Sequence, residues 1–159
     1  MLLSVGCQSE GPESRAVDYY NEGVDLFSEG KLGLAEQQYK LAIDADASLA
    51  EAHLNLGVVY LQTGWLDGAE QSTLTALDHL SSSGRTVITG STVEETKSLA
   101  YLNLCAIEIQ RGLGAELELD YDAGRMHWER TMANLRQAVE LDPSNAVAQS
   151  LIAQLEDAY

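Results

Sequence analysis

Five residue pairs in this chain recur at one fixed separation of 34: Gly23 with Gly57, Leu26 with Tyr60, Gly30 with Gly64, Ala35 with Ala69, and Ala42 with Ala76. Self-similarity at a period in this range marks a supersecondary unit that buries its apolar face only by stacking on copies of itself. The recurring residues have a physical logic as helix hairpins. Gly23 and Gly57 fall mid-helix, where glycine costs about 1 kcal/mol against alanine. That cost is kept when a neighbouring helix must approach closely. Gly30 and Gly64 stand where a left-handed residue ends the first helix. The alanines, seven apart, lie on one face of the second helix and are small enough for tight antiparallel packing.

A third copy is present in stretched form. Ala52-His53-Leu54-Asn55-Leu56 returns as Ala100-Tyr101-Leu102-Asn103-Leu104, an offset of 48, which exceeds the period by 14. Ala42-Ile43-Asp44-Ala45-Asp46-Ala47-Ser48 returns as Ala138-Val139-Glu140-Leu141-Asp142-Pro143-Ser144 at an offset of 96, which exceeds two periods by 28. One insertion of 14 residues therefore precedes the third first-helix, and a second of equal length separates that helix from its partner. Helices are expected near 14–29, 32–45, 49–63, 66–80, 92–111, 122–141 and 145–158. Ser48 with Glu51 and Thr92 with Glu95 have capping-box spacing, and Ser144 is placed to cap the last helix. Residues 81–91 read as a polar, mobile loop, and the acidic alternation 116–122 as a solvated one.

These positions resemble the tetratricopeptide repeat family, whose motif runs large residue, Leu-Gly, Tyr, turn Gly, then Ala, aromatic and Ala. The second copy supplies His53, Leu56-Gly57, Tyr60, Gly64, Ala69 and Ala76. The first supplies Tyr19, Gly23, Leu26, Gly30, Ala35, Tyr39 and Ala42. Glu22 departs from the motif at its leucine, and Thr73 at its second-helix aromatic. The helix-ending proline occurs only as Pro143. The resemblance implies an all-α superhelix of three hairpins plus a C-terminal capping helix. Its repeats span about 16–49, 50–83 and 98–143, with insertions at 84–97 and 113–126, a cap over 144–159, and a domain spanning 14–159.

Function enters through that resemblance. In such a fold the first helix of each hairpin lines a concave groove, which makes the chain a non-catalytic scaffold for a protein or peptide segment. The register assigns that face Tyr20, Val24 and Phe27, then Leu54, Asn55, Val58, Leu61 and Gln62, then Leu99, Leu102, Asn103, Ala106, Ile109 and Gln110. Asn55 and Asn103 form a pair of amides of the kind this family uses to hold a peptide backbone, each offering both donor and acceptor. Chaperone-tail binders of the family clamp a carboxylate with Lys and Arg. The matching places here are Tyr20, Val24, Asn55, Leu99 and Asn103, so an acidic tail is not the expected ligand. An apolar stripe at helical spacing is equally the mark of a core or of a homo-oligomer contact, and that alternative stays open.

Charge narrows the partners. The chain of 159 residues has a formal net charge of −16 with only nine Lys and Arg. No basic field exists to release counterions, so nucleic acid and anionic membrane surfaces are not expected partners. Catalytic constellations are equally missing from the pattern. His53, His79 and His127 belong to different helices with no paired metal-ligand spacing, and His53 holds the repeat's large core place. Asp120, Asp122 and Gly124 begin like a calcium loop, but the glycine arrives one residue early and Thr131 stands near the place of the bidentate Glu. No cofactor or metal is expected.

Of the two cysteines, Cys105 lies in an apolar helical stretch and reads as a small core residue. Cys7 ends the run Met-Leu-Leu-Ser-Val-Gly-Cys, which resembles a bacterial lipoprotein processing site. Gly6 then precedes cleavage, Cys7 is lipidated, and residues 1–13 comprise a signal-peptide remnant and tether. The resemblance implies a protein anchored to a membrane rather than spanning it, in the bacterial periplasm, with Gln8 favouring the outer membrane. Ser4 stands where leucine is usual, and the apolar segment is short with no basic start. The alternatives are a start upstream of Met1, or a chance likeness in a cytoplasmic protein.

Overall fold

The computed structural model describes residues 12–87, 90–117 and 120–158. Among these lie seven helices: α1 (Pro12–Ser28), α2 (Leu32–Ala45), α3 (Ala50–Thr63), α4 (Leu66–Ser83), α5 (Val93–Leu117), α6 (Tyr121–Leu141) and α7 (Ala146–Ala158). Helices α1/α2, α3/α4 and α5/α6 pair as hairpins, α1, α3 and α5 touch in succession, and α7 packs on α6. The fold is the all-α superhelix expected from the repeat.

The recurring residues do what their chemistry requires. A Cβ on Gly23 would stand 2.5 Å from Tyr39 Cε1, and one on Gly57 would stand 2.7 Å from Thr73 Oγ1. Each glycine lets the partner helix's side chain lie against backbone. Gly30 and Gly64 adopt φ of +74° and +82°. At each, the next residue's N–H reaches back to a carbonyl five residues earlier, Lys31 to Leu26 and Trp65 to Tyr60, both at 2.9 Å. Ala35, Ala42, Ala69 and Ala76 are all fully buried. In the third hairpin Cys105 takes the glycine's place, and Thr131 and Leu135 those of Ala35 and Tyr39; all three are buried.

Capping follows the sequence in one case of three. Thr92 and Glu95 form a reciprocal box: Glu95 N–H donates to Thr92 Oγ1 at 3.1 Å and Thr92 N–H to Glu95 Oε2 at 2.7 Å. Ser48 does not cap α3. It donates its hydroxyl to Asp46 Oδ1 at 2.7 Å, and its counterpart Ser144 does the same to Asp142 at 2.7 Å. Each serine closes a tight turn around the preceding aspartate, which leaves Asn145 to cap α7 through Ala148 N–H at 3.1 Å.

The first insertion and the beginning of the second differ from the expected loops, while α6 starts within one residue of its expected place. Helix α4 continues to Ser83. Beyond it, Thr86 Oγ1 and Val87 N–H donate to Glu51 Oε1 at 2.5 and 2.6 Å, pinning the segment to the first turn of α3. Glu51 is 2% exposed and so is withdrawn from any capping box. The second insertion is mainly helical: α5 extends to Leu117, six residues past Arg111, the counterpart of Thr63. Helix α6 begins at Tyr121, seven residues before the counterpart of Leu32. At 1.5 Å per residue the third hairpin overshoots the stack by about 10 Å.

Candidate functional site

The face presented by α1, α3 and α5 holds a cleft of about 60 Å³ lined by Val24, Phe27, Tyr39, Asn55 and Val58. Val24, four residues before Ser28 at the end of α1, is 37% exposed, while Phe27 leans onto the core of Tyr39, Val59 and Tyr60. Asn55 is half-buried, and its Nδ2 donates to Tyr20 Oη at 3.3 Å. This bond joins the first and second hairpins across the floor of the face. Burial raises the Tyr20 phenol above its ordinary value and Glu51 adds to that, while the Asn55 bond works against it. Burial, then Tyr20, push Tyr39 up to about 12, so both rings stay neutral. Farther along, Leu99 and Ile109 are 47% and 36% exposed, with Asn103 and Ala106 half-buried and Gln62 and Gln110 open to solvent.

Three residues expected on this face pack against neighbouring repeats. Leu54 is 4% exposed and packs with Ala76 and Ala100 in the core. Leu102 packs on the cluster of Cys105, Met132 and Leu135, where α7 contributes Leu151, Ile152 and Leu155. Leu54 and Leu102 occupy one register position, and the neighbouring layer of the stack covers each. Tyr20 shares that position and is likewise packed sideways, against the core holding Ala52 and Leu49. The position therefore serves contact between neighbouring repeats. Cys7 lies outside the described residues.

A charged cluster that sequence patterns did not single out ties α4, α5 and α6 together. Glu108, whose carboxylate side chain is 6% exposed, stands where the second repeat has Tyr60. His127 Nδ1 lies 2.6 Å from its Oε2. Arg111 donates to Asp67 at 2.7 Å and Glu70 at 2.8 Å, and approaches Glu108 at 3.8 Å. Arg130 approaches it at 3.6 Å. The available signal was a carboxylate at a position that the other copies fill with Leu26 and Tyr60. The partner of His127 is thus this repeat position. Among the described residues no group of three or more His, Cys, Asp or Glu is arranged to hold a metal. Nor is any helix among them long and apolar enough to cross a membrane.

Above this cluster opens a second cleft of about 150 Å³, walled by Ile109, Leu113, Trp128 and Leu155 with Gly112 and Gly124 between them. Ile109 holds the register of Leu61 and Phe27, so this cleft adjoins the same face. Leu113 is 55% exposed, and Met126 in the added turns of α6 is 45% exposed.

Residues 23–64 match the family model of the TPR repeat. No curated protein matches the sequence. Among solved structures the chain is similar to the Arabidopsis OM64 TPR domain, with a TM-score of 0.68 and 16% identity over 94% of this chain and 100% of that one. It is similar also to the first TPR of Spaghetti (RPAP3) bound to HSP90 peptide SRMEEVD, with a TM-score of 0.67 and 17% identity over 92% of this chain and 96% of that one. Residues 23–64 thus match the TPR repeat, and the stack of three hairpins has the fold of solved TPR domains over more than nine-tenths of its length.

Proposed function

We propose that this protein is a non-catalytic interaction scaffold that holds a protein or peptide segment against the face of α1, α3 and α5. The observation that supports this most is the cleft between Val24, Phe27, Tyr39, Asn55 and Val58, an apolar depression with one amide at its edge. Asn103 repeats that amide 48 residues on, so two side chains with both donor and acceptor capacity border a mainly apolar track. The similar Spaghetti TPR is bound to a peptide ending in Glu-Glu-Val-Asp. Tyr20, Leu99 and Asn103 hold no cation for such an end, so the partner here is of other chemistry. Pull-down with the wild type against Asn55→Ala/Asn103→Ala tests the reading: the variant recovers less of the partner, and equal recovery argues against the groove.

A second reading has its own observation. Leu99 and Ile109 are exposed on this face, as a contact between copies would require. Molar mass measured across a hundredfold range of concentration separates the two: a constant monomer mass removes self-association. We propose further that Cys7 carries a lipid anchor in a bacterial envelope. The support is the apolar run before it and the polar stretch from Gln8 to Glu13 after it. Expression in bacteria with radiolabelled palmitate checks this, since wild type takes up label and Cys7→Ser does not.

A further inference from the structure

The cleft on the third hairpin has a size, a chemistry and an electrostatic setting that together define an occupant. Its volume of about 150 Å³ equals that of an apolar protein cavity able to take up a benzene ring. Its walls are aliphatic and aromatic, from Ile109, Leu113, Trp128 and Leu155. Its lining joins Leu113 and Gly124 of the second insertion to Ile109 and Trp128 of the third hairpin and to Leu155 of α7.

The ends of α7 and α6 that contribute Leu155 and Gly124 to this cleft are acidic. Leu155 is followed by the exposed Glu156 and Asp157, in the last turn of a helix with no basic residue there. The partial negative charge of a helix C-terminus adds to theirs. Exposed Asp120 and Asp122 stand at the start of α6, within four residues of the lining Gly124, with Arg125 3.6 Å from Asp122. Below, the Glu108 carboxylate is engaged by His127 at 2.6 Å and flanked by Arg111 and Arg130, so the floor is closed. An apolar group is accommodated inside and a cation at the rim.

We propose that this cleft is an anchor pocket for one bulky apolar side chain of an extended partner segment that carries Lys or Arg next to that anchor. The inference rests on the scaffold reading and assigns the partner's chemistry at a site that only the stretched third hairpin supplies. It gives the insertion a role: the regular repeats offer a shallow aliphatic track, and the added turns of α5 and α6 offer depth.

The test uses three synthetic heptapeptides at 150 mM salt, where diffuse attraction between exposed charges is largely screened. They are Lys-Leu-Lys-Phe-Lys-Leu-Lys, the same with every Lys replaced by Glu, and the same with Leu and Phe replaced by Ala. Binding is followed by the emission of Trp128 in a Trp65→Phe background. The first peptide is expected to bind and to shift that emission, with the other two at least tenfold weaker. Leu113→Gln, a change at an exposed position, should weaken the first peptide roughly tenfold, the scale of one buried leucine-sized contact. Asn55→Ala then separates the readings. If it weakens binding while Leu113→Gln does not, the groove stands and the pocket falls. If Leu113→Gln alone weakens binding, the pocket stands without the groove. Equal binding of the acidic peptide, or of the alanine peptide, overturns the proposal.

Discussion

Gly57 illustrates how much one missing methyl group decides. Placing alanine there gains helix propensity of about 1 kcal/mol. It also drives a Cβ to 2.7 Å from Thr73 Oγ1 and 3.2 Å from the Ala69 carbonyl oxygen. Overpacking of that kind costs about 1–3 kcal/mol, so Gly57→Ala is expected to lower the unfolding free energy by about 1 kcal/mol in a urea titration. Gly57→Ala/Thr73→Ala should recover most of it, because the nearest obstruction leaves. Both glycines were legible from the sequence, since only close approach justifies glycine in the middle of a helix. The groove was less so. Tyr20, Leu54 and Leu102 share the helical spacing of Val24 and Val58, and spacing alone does not distinguish a position that faces solvent from one covered by the next hairpin. His53 carries a pH signature of its own. Burial lowers its pKa from the ordinary 6.5, against the bond that its ring N–H donates to the Ala47 carbonyl and with a further lowering from His79. The unfolded chain therefore takes up the proton at higher pH than the folded one. Stability should hold above about pH 7.5 and fall as pH drops through 6.5. His53→Gln should flatten the urea midpoint between pH 7.5 and 5; an unchanged slope removes His53 as the cause.

At the scale of elements, the third hairpin is held by different chemistry from the first two. Where Tyr60 packs as an aromatic core residue, Glu108 brings a carboxylate, and His127, Arg111 and Arg130 converge on it from α5 and α6. Arg111 also reaches back to Asp67 and Glu70, fastening α5 to α4. Removing one member of a buried pair leaves the other charge uncompensated, a loss of about 3–5 kcal/mol for an isolated pair. Arg111 and Arg130 remain beside Glu108, so His127→Ala is expected to cost about 2 kcal/mol. His127→Ala/Glu108→Leu should be more stable than His127→Ala alone, the sign of a cycle whose members share one network. If the double variant is the less stable, the pair is not what holds α6 to α5. The sequence showed the length of both insertions but not their form. Helical continuation through Leu117 could not be read from the Glu-Leu-Glu-Leu-Asp alternation, because that pattern has strand period and the helix end is fixed by tertiary neighbours, whereas the start of α6 at Tyr121 lies within one residue of its expected place. Conversely the Thr92–Glu95 box was legible, since both its partners are local.

Over the whole molecule, the core of the described residues is a chain of local clusters linked by shared side chains. Tyr101 packs on the cluster around Tyr39 and Val59 and also on the one around Cys105 and Leu135, so it bridges the second and third layers of the stack. In a stacked array each layer contacts its neighbours alone, and a local defect weakens its own layer and the next more than a distant one. Leu135 is fully buried beside Met132 and Ala148, in the place that Tyr39 holds in the first repeat. Leu135→Ala removes about 2–5 kcal/mol from that layer. Cys105, 1% exposed in the same cluster, reports on the opening. Burial pushes its thiol up to about 12, so in the closed state it presents almost no thiolate at pH 8. In a Cys7→Ser background, wild-type Cys105 should therefore label slowly with a thiol reagent, and Leu135→Ala should accelerate labelling at least tenfold. Amide exchange should rise in α5, α6 and α7 while α1 and α2 keep most of their protection, because the layers between them dilute the loss. A uniform rise along all seven helices would mean that the stack unfolds as one unit. The cap formed by α7 would then serve the whole molecule rather than its own layer.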